Sequence, residues 1–383
     1  MPCAERPGER TVCFTQLTLS GGNSMQSNPH TLTPPEWMEE YSHWFATTSH
    51  IPEFSEEMSS RERYALMWLA NEIERTYVDL RRVLRDVRVC GPVFGDQIYT
   101  TQYKPKRSGG YRKICCPVKH LRDIQEALNK YFSAWYIPHD DICGFSGGNI
   151  AQALLPHTSA TWLLKVDFKD AFPSISKSDV FLALREQKYR WYTANALADL
   201  TTYNNELPQG APSSPRVFDI VCAPFDRYMR TLVQNYGGTY TRYADNIFVS
   251  VTDAQFPQPL RNGVLKAIEN RRKYNDGRLR RQGPAFAWHK LRVCRMSHTT
   301  VRGLGLNIIG GKLHNTREWK RRFRKHIAHV AYLLDNGLPY DEAFKKLEGM
   351  VQFAREDTLP VSLTQAFDAV YHRVYQMRRP WAY

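Results

Sequence analysis

The sequence predicts an α+β fold in which a strand-rich middle lies between helical ends. Three observations carry that expectation. Apolar residues recur at helical spacing up to about Arg88 and again beyond Thr316. Between them, short apolar runs are bounded by Gly, Pro, Ser and Asn. Two of those runs carry an aspartate where a strand ends or turns, Asp167 and Asp245.

The elements follow in order. Residues 1 to about 35 are rich in Ser, Thr, Gly, Pro and Asn without periodicity, which predicts a poorly ordered leader, with Met25 as an alternative start. Trp37, Tyr41 and Trp44, then Tyr64, Met67, Trp68 and Ile73, predict helices with aromatic cores, and Arg81, Arg82, Arg85 and Arg88 lay a basic strip on the last of them. Tyr103 to Ile114 reads as a basic hairpin around Ser108-Gly109-Gly110. Leu121, Ile124, Leu128 and Phe132 make an amphipathic helix from His120 to about Trp135, and a Gly-rich loop runs from Gly144 to Gly148. Thr161 to Val166 reads as a buried strand ending at Asp167. A helix follows from Ser176 to Arg185, with Ser176 or Ser178 as its N-cap. Pro208 to Pro215 is a turn before the apolar run Val217 to Cys222. Thr239 to Val251 is a hairpin centred on Asp245, Arg261 to Arg272 a helix, Tyr274 to Gly283 a basic loop, and Val301 to Ile309 a strand. Three helices close the chain, at about Thr316 to Leu334, Tyr340 to Phe353 and Val361 to Met377.

At 383 residues, 42% hydrophobic and 23% charged, the chain can bury a sizeable core and is not a disordered one. No apolar run approaches bilayer length, and no apolar core follows the N-terminal charges, so neither a membrane-spanning nor a secreted protein is expected. A net charge of +14 favours a polyanionic partner over a merely basic surface. Eight cysteines without a C-x-x-C pair predict reduced, mostly buried thiols in a cytoplasmic protein rather than a zinc site.

The chemistry lies in two acidic segments. Asp167 belongs to Val166-Asp167-Phe168-Lys169-Asp170-Ala171-Phe172-Pro173-Ser174-Ile175, and Asp245 to Tyr243-Ala244-Asp245-Asn246. Each aspartate alone reads as well as a turn or cap residue. Between them lies Leu207-Pro208-Gln209-Gly210-Ala211-Pro212-Ser213-Ser214-Pro215. Together they point to two carboxylates for hard cations such as Mg2+, as phosphoryl transfer to a sugar hydroxyl requires.

With the basic hairpin before them and Gly303-Leu304-Gly305-Leu306-Asn307 after them, these segments resemble reverse transcriptases of the bacterial retron and group II intron branch over roughly residues 100 to 325. The resemblance implies a right-hand polymerase fold. Its parts are an N-terminal helical extension over 36–95, fingers over 96–160, a palm over 161–310 with a fingers insertion at 180–206, and a helical thumb with its tail over 311–383. It implies an RNA-directed DNA polymerase in which Asp167 and Asp245 hold two Mg2+ ions, with Mn2+ as a substitute, and the Phe168 carbonyl faces a metal. Lys106 (or Lys104) and Arg112 would grip the triphosphate, since an Arg fork matches phosphate oxygens. Asp170 and Ala171 would meet it through backbone N–H groups. Phe172 implies a filter against a 2′-hydroxyl, with simple core packing as the plainer role. Gln209 and Gly210 would contact the incoming nucleotide and the template backbone, and Lys290 would lie near the leaving pyrophosphate.

The hairpin tip departs from the family's usual pair of carboxylates. Asn246, the third catalytic position, keeps an acceptor oxygen and loses the charge. Retained Mg2+-dependent polymerisation with altered metal preference is expected; the alternative is an impaired polymerase-like scaffold that binds RNA. Lys320, Arg321, Arg324 and Lys325, with Trp319 and Phe323 opposite, suit a thumb helix gripping duplex phosphates, against the plainer reading of a solvated basic face. The loop Arg271 to Arg281 is a second candidate, for structured RNA, and the tail Arg378-Arg379-Pro380-Trp381-Ala382-Tyr383 pairs charge with aromatics. With no endonuclease or maturase region in view, the resemblance implies a compact, defence-associated enzyme with a dedicated noncoding RNA as template or primer and a DNA product. A partner reverse transcriptase supporting template-independent synthesis, an effector protein and an oligomer remain alternatives. The Ala153 to His157 spacing and Val301-Arg302-Gly303 depart from typical retron patterns.

Overall fold

The computed structural model describes residues 59–89, 98–106, 109–145, 147–268, 271–273, 279–281, 285–286, 291–296, 301–351, 353 and 359–378. The chain divides after Glu57, and every described element belongs to the second unit. The expected leader, the helix with Trp37 to Trp44, Lys290 and the tail beyond Arg378 lie outside the described residues.

Helix α1 (Ser60–Glu72) starts where the Ser59 hydroxyl accepts the N–H of Glu62. It buries Leu66, Met67, Leu69 and Ala70, while Tyr64 is exposed and falls off the expected core face. Along α2 (Tyr77–Val89) the basic strip is largely neutralised. Arg82 pairs with Asp79, Arg85 with Asp86, and Arg88 with both Glu62 and Asp199. Strands β1 (Tyr99–Pro105) and β2 (Tyr111–Pro117) form the expected hairpin, with Lys104 opposite Arg112. Helix α3 (Lys119–Trp135) buries Leu121, Ile124, Leu128 and Phe132.

The central sheet is built on β4 (Trp162–Lys169), β5 (Thr239–Tyr243) and β6 (Asn246–Val251). With β3 (Ile142–Cys143) and β10 (Arg292–Arg295) the order is β10-β4-β6-β5-β3, and β9 (Ala285–Phe286) pairs with the end of β4. That pairing corrects the expected strand end. Phe168 and Lys169 find partners in Phe286 and Ala285, so β4 runs past Asp167. Between β3 and β4 lies the short helix α4 (Ile150–Leu154), capped by Asn149.

Helix α5 (Lys177–Glu186) resolves the choice of cap: Ser176 and Asp179 form a reciprocal capping box. After α6 (Trp191–Thr201), the run Val217 to Cys222 opens the long helix α7 (Ser214–Gln234). This helix lies on the sheet face that carries Phe168, whose ring meets Phe218 at 5.5 Å and Phe225 at 5.9 Å. Helix α8 (Gln258–Ile268) stops short of the expected Arg272, because Arg271–Lys273 (β7) pairs with Leu279–Arg281 (β8). The single strand expected over Val301 to Ile309 is a hairpin. Leu304 (φ 51) and Gly305 (φ 86) are both left-handed and fold β11 (Val301–Gly303) onto β12 (Leu306–Ile309), which pairs with β13 (Lys312–Asn315).

Three closing helices, α9 (Arg317–Asp335), α10 (Asp341–Val351) and α11 (Val361–Arg378), share a core of Phe323, Ile327, Val330, Phe344, Leu347, Val370 and Val374. Among the described cysteines, Cys115, Cys143 and Cys222 are buried and free. Among the described residues, no helix is long and apolar enough to cross a membrane.

Candidate active site

Register brings the two acidic segments together. In the antiparallel β4–β6 pair, Asp167 lies directly opposite Asn246. Directly opposed residues share a sheet face, so the Asp167 carboxylate and the Asn246 amide point the same way. One step on, the Phe168 N–H donates to the Asp245 carbonyl at 3.0 Å. In an extended strand the N–H and C=O of one residue face the same side, so the Phe168 carbonyl also faces the hairpin tip.

Two residues, Ala244 and Asp245, join β5 to β6. Ala244 takes φ 52, an uncommon conformation for a residue with a Cβ. Its surroundings hold it there. Its N–H donates to the Cys143 carbonyl at 2.9 Å, and its own carbonyl accepts from Arg242 Nη1 at 2.9 Å. Gly144 makes room: a Cβ there would sit 2.9 Å from the Ala244 nitrogen. At the tip, Asn246 Nδ2 donates to Asp245 Oδ1 at 2.9 Å. The amide therefore orients the carboxylate that a second aspartate would repel.

Behind the tip, Arg242 is fully buried. Its guanidinium donates to Asp226 at 2.7 and 2.9 Å and to Asp219 at 2.9 Å, and Tyr240 adds a hydroxyl bond to Asp226 at 2.6 Å. Burial alone would lower the Arg242 pKa; Asp226 and Asp219 outweigh it and hold it well above the usual value. Arg242 and both acids lie outside the residues that the sequence motifs single out. The available signal was two aspartates seven apart, on one face of an otherwise apolar helix stretch.

The donor set suits magnesium. Asp167 and Asp245 are both half-buried, and the Phe168 carbonyl is directed toward them. Burial pushes the Cys143 thiol up to about 11, with Asp141 adding to it, so this neighbour is a neutral thiol at pH 7. Among the described residues, no cluster of three or more His, Cys, Asp or Glu forms a closed cage. Mg2+ takes one or two carboxylates, which Asp167 and Asp245 can supply, with the remaining positions left to phosphate and water.

The other expected residues lie in the turn after β4, on the β1–β2 hairpin, in the Gln209-Gly210 turn and on α9. Asp170 (φ 45) begins a turn in which its carbonyl accepts the Ser174 N–H at 2.9 Å, and the Ala171 carbonyl accepts the Ser174 hydroxyl at 3.0 Å. The Asp170 carboxylate lies 3.6 Å from Lys106 Nζ, which joins the hairpin to the end of β4. Phe172 is half-buried, with its ring 5.4 Å from Phe145 and 5.5 Å from Phe218, so its packing role is real. Gln209 accepts the Cys115 N–H at 2.7 Å through its carbonyl, which docks the Gln209-Gly210 turn on β2. Gly210 has φ 117, and a Cβ there would come within 2.7 Å of Ile114 Cγ2. Arg112 is exposed on the same hairpin. On α9, Arg321, Arg324 and Lys325 are exposed and Lys320 half-buried, while Phe323 is buried and stacked on Trp319 at 4.8 Å. No described contact ties this helix to the carboxylates. His157 has a structural role: its ring bonds Ser250 at 2.7 Å and Thr241 at 2.8 Å in the core.

Residues 104–308, more than half of the chain, match the family described as reverse transcriptase (RNA-dependent DNA polymerase). The retron Ec86 reverse transcriptase of Escherichia coli is 36% identical over 167 residues, covering 41% of this chain and 49% of that one. The retron Mx162 reverse transcriptase of Myxococcus xanthus is 32% identical over 182 residues, covering 43% and 38%. The retron Ec73 reverse transcriptase of Escherichia coli is 27% identical over 270 residues, covering 66% and 80%. The chain thus spans less than half the length of the Ec86 and Mx162 proteins. Among solved structures, apo telomerase from Candida tropicalis aligns over 75% of this chain and 61% of that one, with a TM-score of 0.48 and 10% identity.

Proposed function

The chain belongs to the reverse transcriptase family, and on that premise we propose that it is an RNA-directed DNA polymerase that extends a primer with dNTPs. The observation that carries this reading is the register that sets Asp167 opposite Asn246 and bonds Phe168 to Asp245. When bound at Asp167 and Asp245, two Mg2+ ions would activate the primer hydroxyl and neutralise the leaving pyrophosphate. The protein's own groups bind and orient. Asp167 and Asp245 supply the charge, and Asn246 holds Asp245 by its amide. Lys106 and Arg112 bind the triphosphate, backbone N–H groups at Asp170 and Ala171 bracket it, and Phe172 closes the sugar side against a 2′-hydroxyl. Gln209 and Gly210 present a close backbone surface to nucleotide and template. Lys290 completes the proposed nucleotide contacts.

In this reading the β3–β6 sheet with α7 is the palm, the β1–β2 hairpin belongs to the fingers, and α9 to α11 are the thumb. Lys320, Arg321, Arg324 and Lys325 grip the phosphates of the template–product duplex, which is recognised by shape and backbone. The finer proposal is a dedicated noncoding RNA as template or primer and a cytoplasmic role in antiphage defence. It rests on the resemblance and on the +14 net charge.

The test is incorporation of labelled dNTP on an RNA template with an annealed primer. Wild type incorporates it, and Asp245→Ala and Asp167→Ala do not. Equal incorporation by wild type and both variants would sink the assignment; no incorporation by wild type on any RNA that co-purifies with it would favour the scaffold role.

A further inference from the structure

We propose a second nucleic-acid site, for an unpaired nucleobase and its flanking phosphates, at the start of β4. A pocket of about 560 Å³ opens there, lined by Trp162, Phe256, Arg261, Arg292 and two glutamines, Gln255 and Gln258. That volume lies in the range of small-molecule and cofactor pockets. The lining contains two aromatic rings, two arginines and two side-chain amides, and no carboxylate.

The geometry gives each group a part. Trp162 is half-buried, and its ring is fixed by an Nε1–H bond to the Ala254 carbonyl at 3.2 Å. The guanidinium of Arg295, its cross-strand partner, sits 5.9 Å from the ring centroid. A held indole beside a half-buried Phe256 is a stacking platform, and every base has a π-face to offer it. Arg261 and Arg292 are exposed at the rim, where guanidinium forks match phosphate oxygens. Gln255 and Gln258 carry both donors and acceptors for base edges.

This site is separate from the polymerase centre. Trp162 and Asp167 are five positions apart on one strand, so their side chains lie on opposite sheet faces and about 17 Å apart along the strand; Arg292, opposite Lys165, reaches the pocket rim from the edge strand β10. A nucleotide held at Trp162 is therefore not the nucleotide being copied at Asp167. The site is built to hold an unpaired segment of RNA while another segment occupies the cleft. It does not depend on polymerisation, so it can be tested in an inactive protein.

The experiment uses the full chain carrying Asp245→Ala, with a fluorescein-labelled adenylate hexaribonucleotide as the probe in an anisotropy titration. A 4-thiouridine hexamer is crosslinked in parallel and mapped by peptide mass spectrometry. Crosslinks are expected within residues 254–262 or 291–295. The Arg261→Glu/Arg292→Glu double variant is expected to bind at least tenfold more weakly at 50 mM salt. The slope of log K against log salt should fall by about 1.4, which is two phosphates at ~0.7 each for a single strand. Phe256→Ala should weaken binding about tenfold without changing that slope, since it removes a stacking partner and no charge. The arginine variant alters exposed positions and Phe256→Ala a half-buried one, and equal melting temperatures check their fold. Competition by AMP as strong as by the hexamer would assign the same chemistry to a free nucleotide. Unchanged affinity in both variants, or crosslinks confined to residues 317–335, would overturn the proposal.

Discussion

Replacing Arg242 by Met tests whether the hairpin tip is held from behind. The guanidinium has no exposed surface, and its partners Asp219 and Asp226 are 0% and 4% exposed. Methionine fills a similar volume but takes away the guanidinium that both carboxylates accept from in the core. Breaking a buried pair in this way costs about 3–5 kcal/mol. The Ala244 carbonyl also loses its donor, which costs about 1 kcal/mol more. With a urea m-value of about 3 kcal/mol/M, the unfolding midpoint should fall by roughly 1–2 M. Urea titration followed by tryptophan fluorescence measures it. Adding Asp226→Asn to Arg242→Met removes one uncompensated charge and should restore part of the loss. Primer extension by the single variant, assayed below its new transition, should fall more than its folded fraction explains, because Asp245 follows Ala244. A midpoint shift below about 0.3 M, or a double variant less stable than the single one, would refute the argument from buried charge.

Further outcomes follow from other sites. Asn246→Asp removes the amide bond to Asp245 and sets two carboxylates side by side; it should cost roughly 1–3 kcal/mol without divalent ions. Mg2+ should restore that loss and be needed at lower concentration for incorporation, and identical Mg2+ titrations for both proteins would contradict this. Gly210→Ala forces a Cβ against Ile114 at a positive φ; a loss of about 1–3 kcal/mol and a several-fold higher KM for dNTP are expected from denaturation and steady-state kinetics. Burial lowers the His157 pKa to about 3. The folded protein therefore keeps this ring neutral while the unfolded chain takes up a proton below about pH 6.5, so stability is complete above that pH and lost as pH falls toward 3. Between pH 7.5 and 5 the loss should be roughly 2 kcal/mol, and His157→Asn should flatten this part of the stability–pH curve; an equally steep curve would rule His157 out as its source.

The two acidic segments are legible in the sequence because their signals are local. An apolar run ending in an acid marks β4, and an aspartate just before the apolar run Ile247 to Val249 marks the β5–β6 turn. The helix boundaries of α3, α5 and α9 follow from caps and period. The errors fall where a distant partner decides. β4 outlasts Asp167 because β9 arrives from more than a hundred residues away, and the Leu304-Gly305 turn hides inside an apparently alternating strand. The basic strip on α2 is offset in part by Asp79 and Asp86 of the same helix, but the counter-ions of Arg88, Glu62 and Asp199, belong to other helices. Arg242 gave no hint of its importance, since both acids that bury it come from α7.

The bridge between Lys106 and Asp170 has a consequence for binding. Both side chains are well exposed, at 35% and 56%, so the pair contributes at most about 1 kcal/mol. It is a loose latch between the hairpin and the end of β4, closed by an internal rival of the triphosphate. Under the proposed triphosphate role of Lys106, an arriving nucleotide exchanges one anion for another there rather than meeting a free cation. Its affinity there is a difference between two partners, and Asp170→Asn should tighten nucleotide binding while loosening the hairpin.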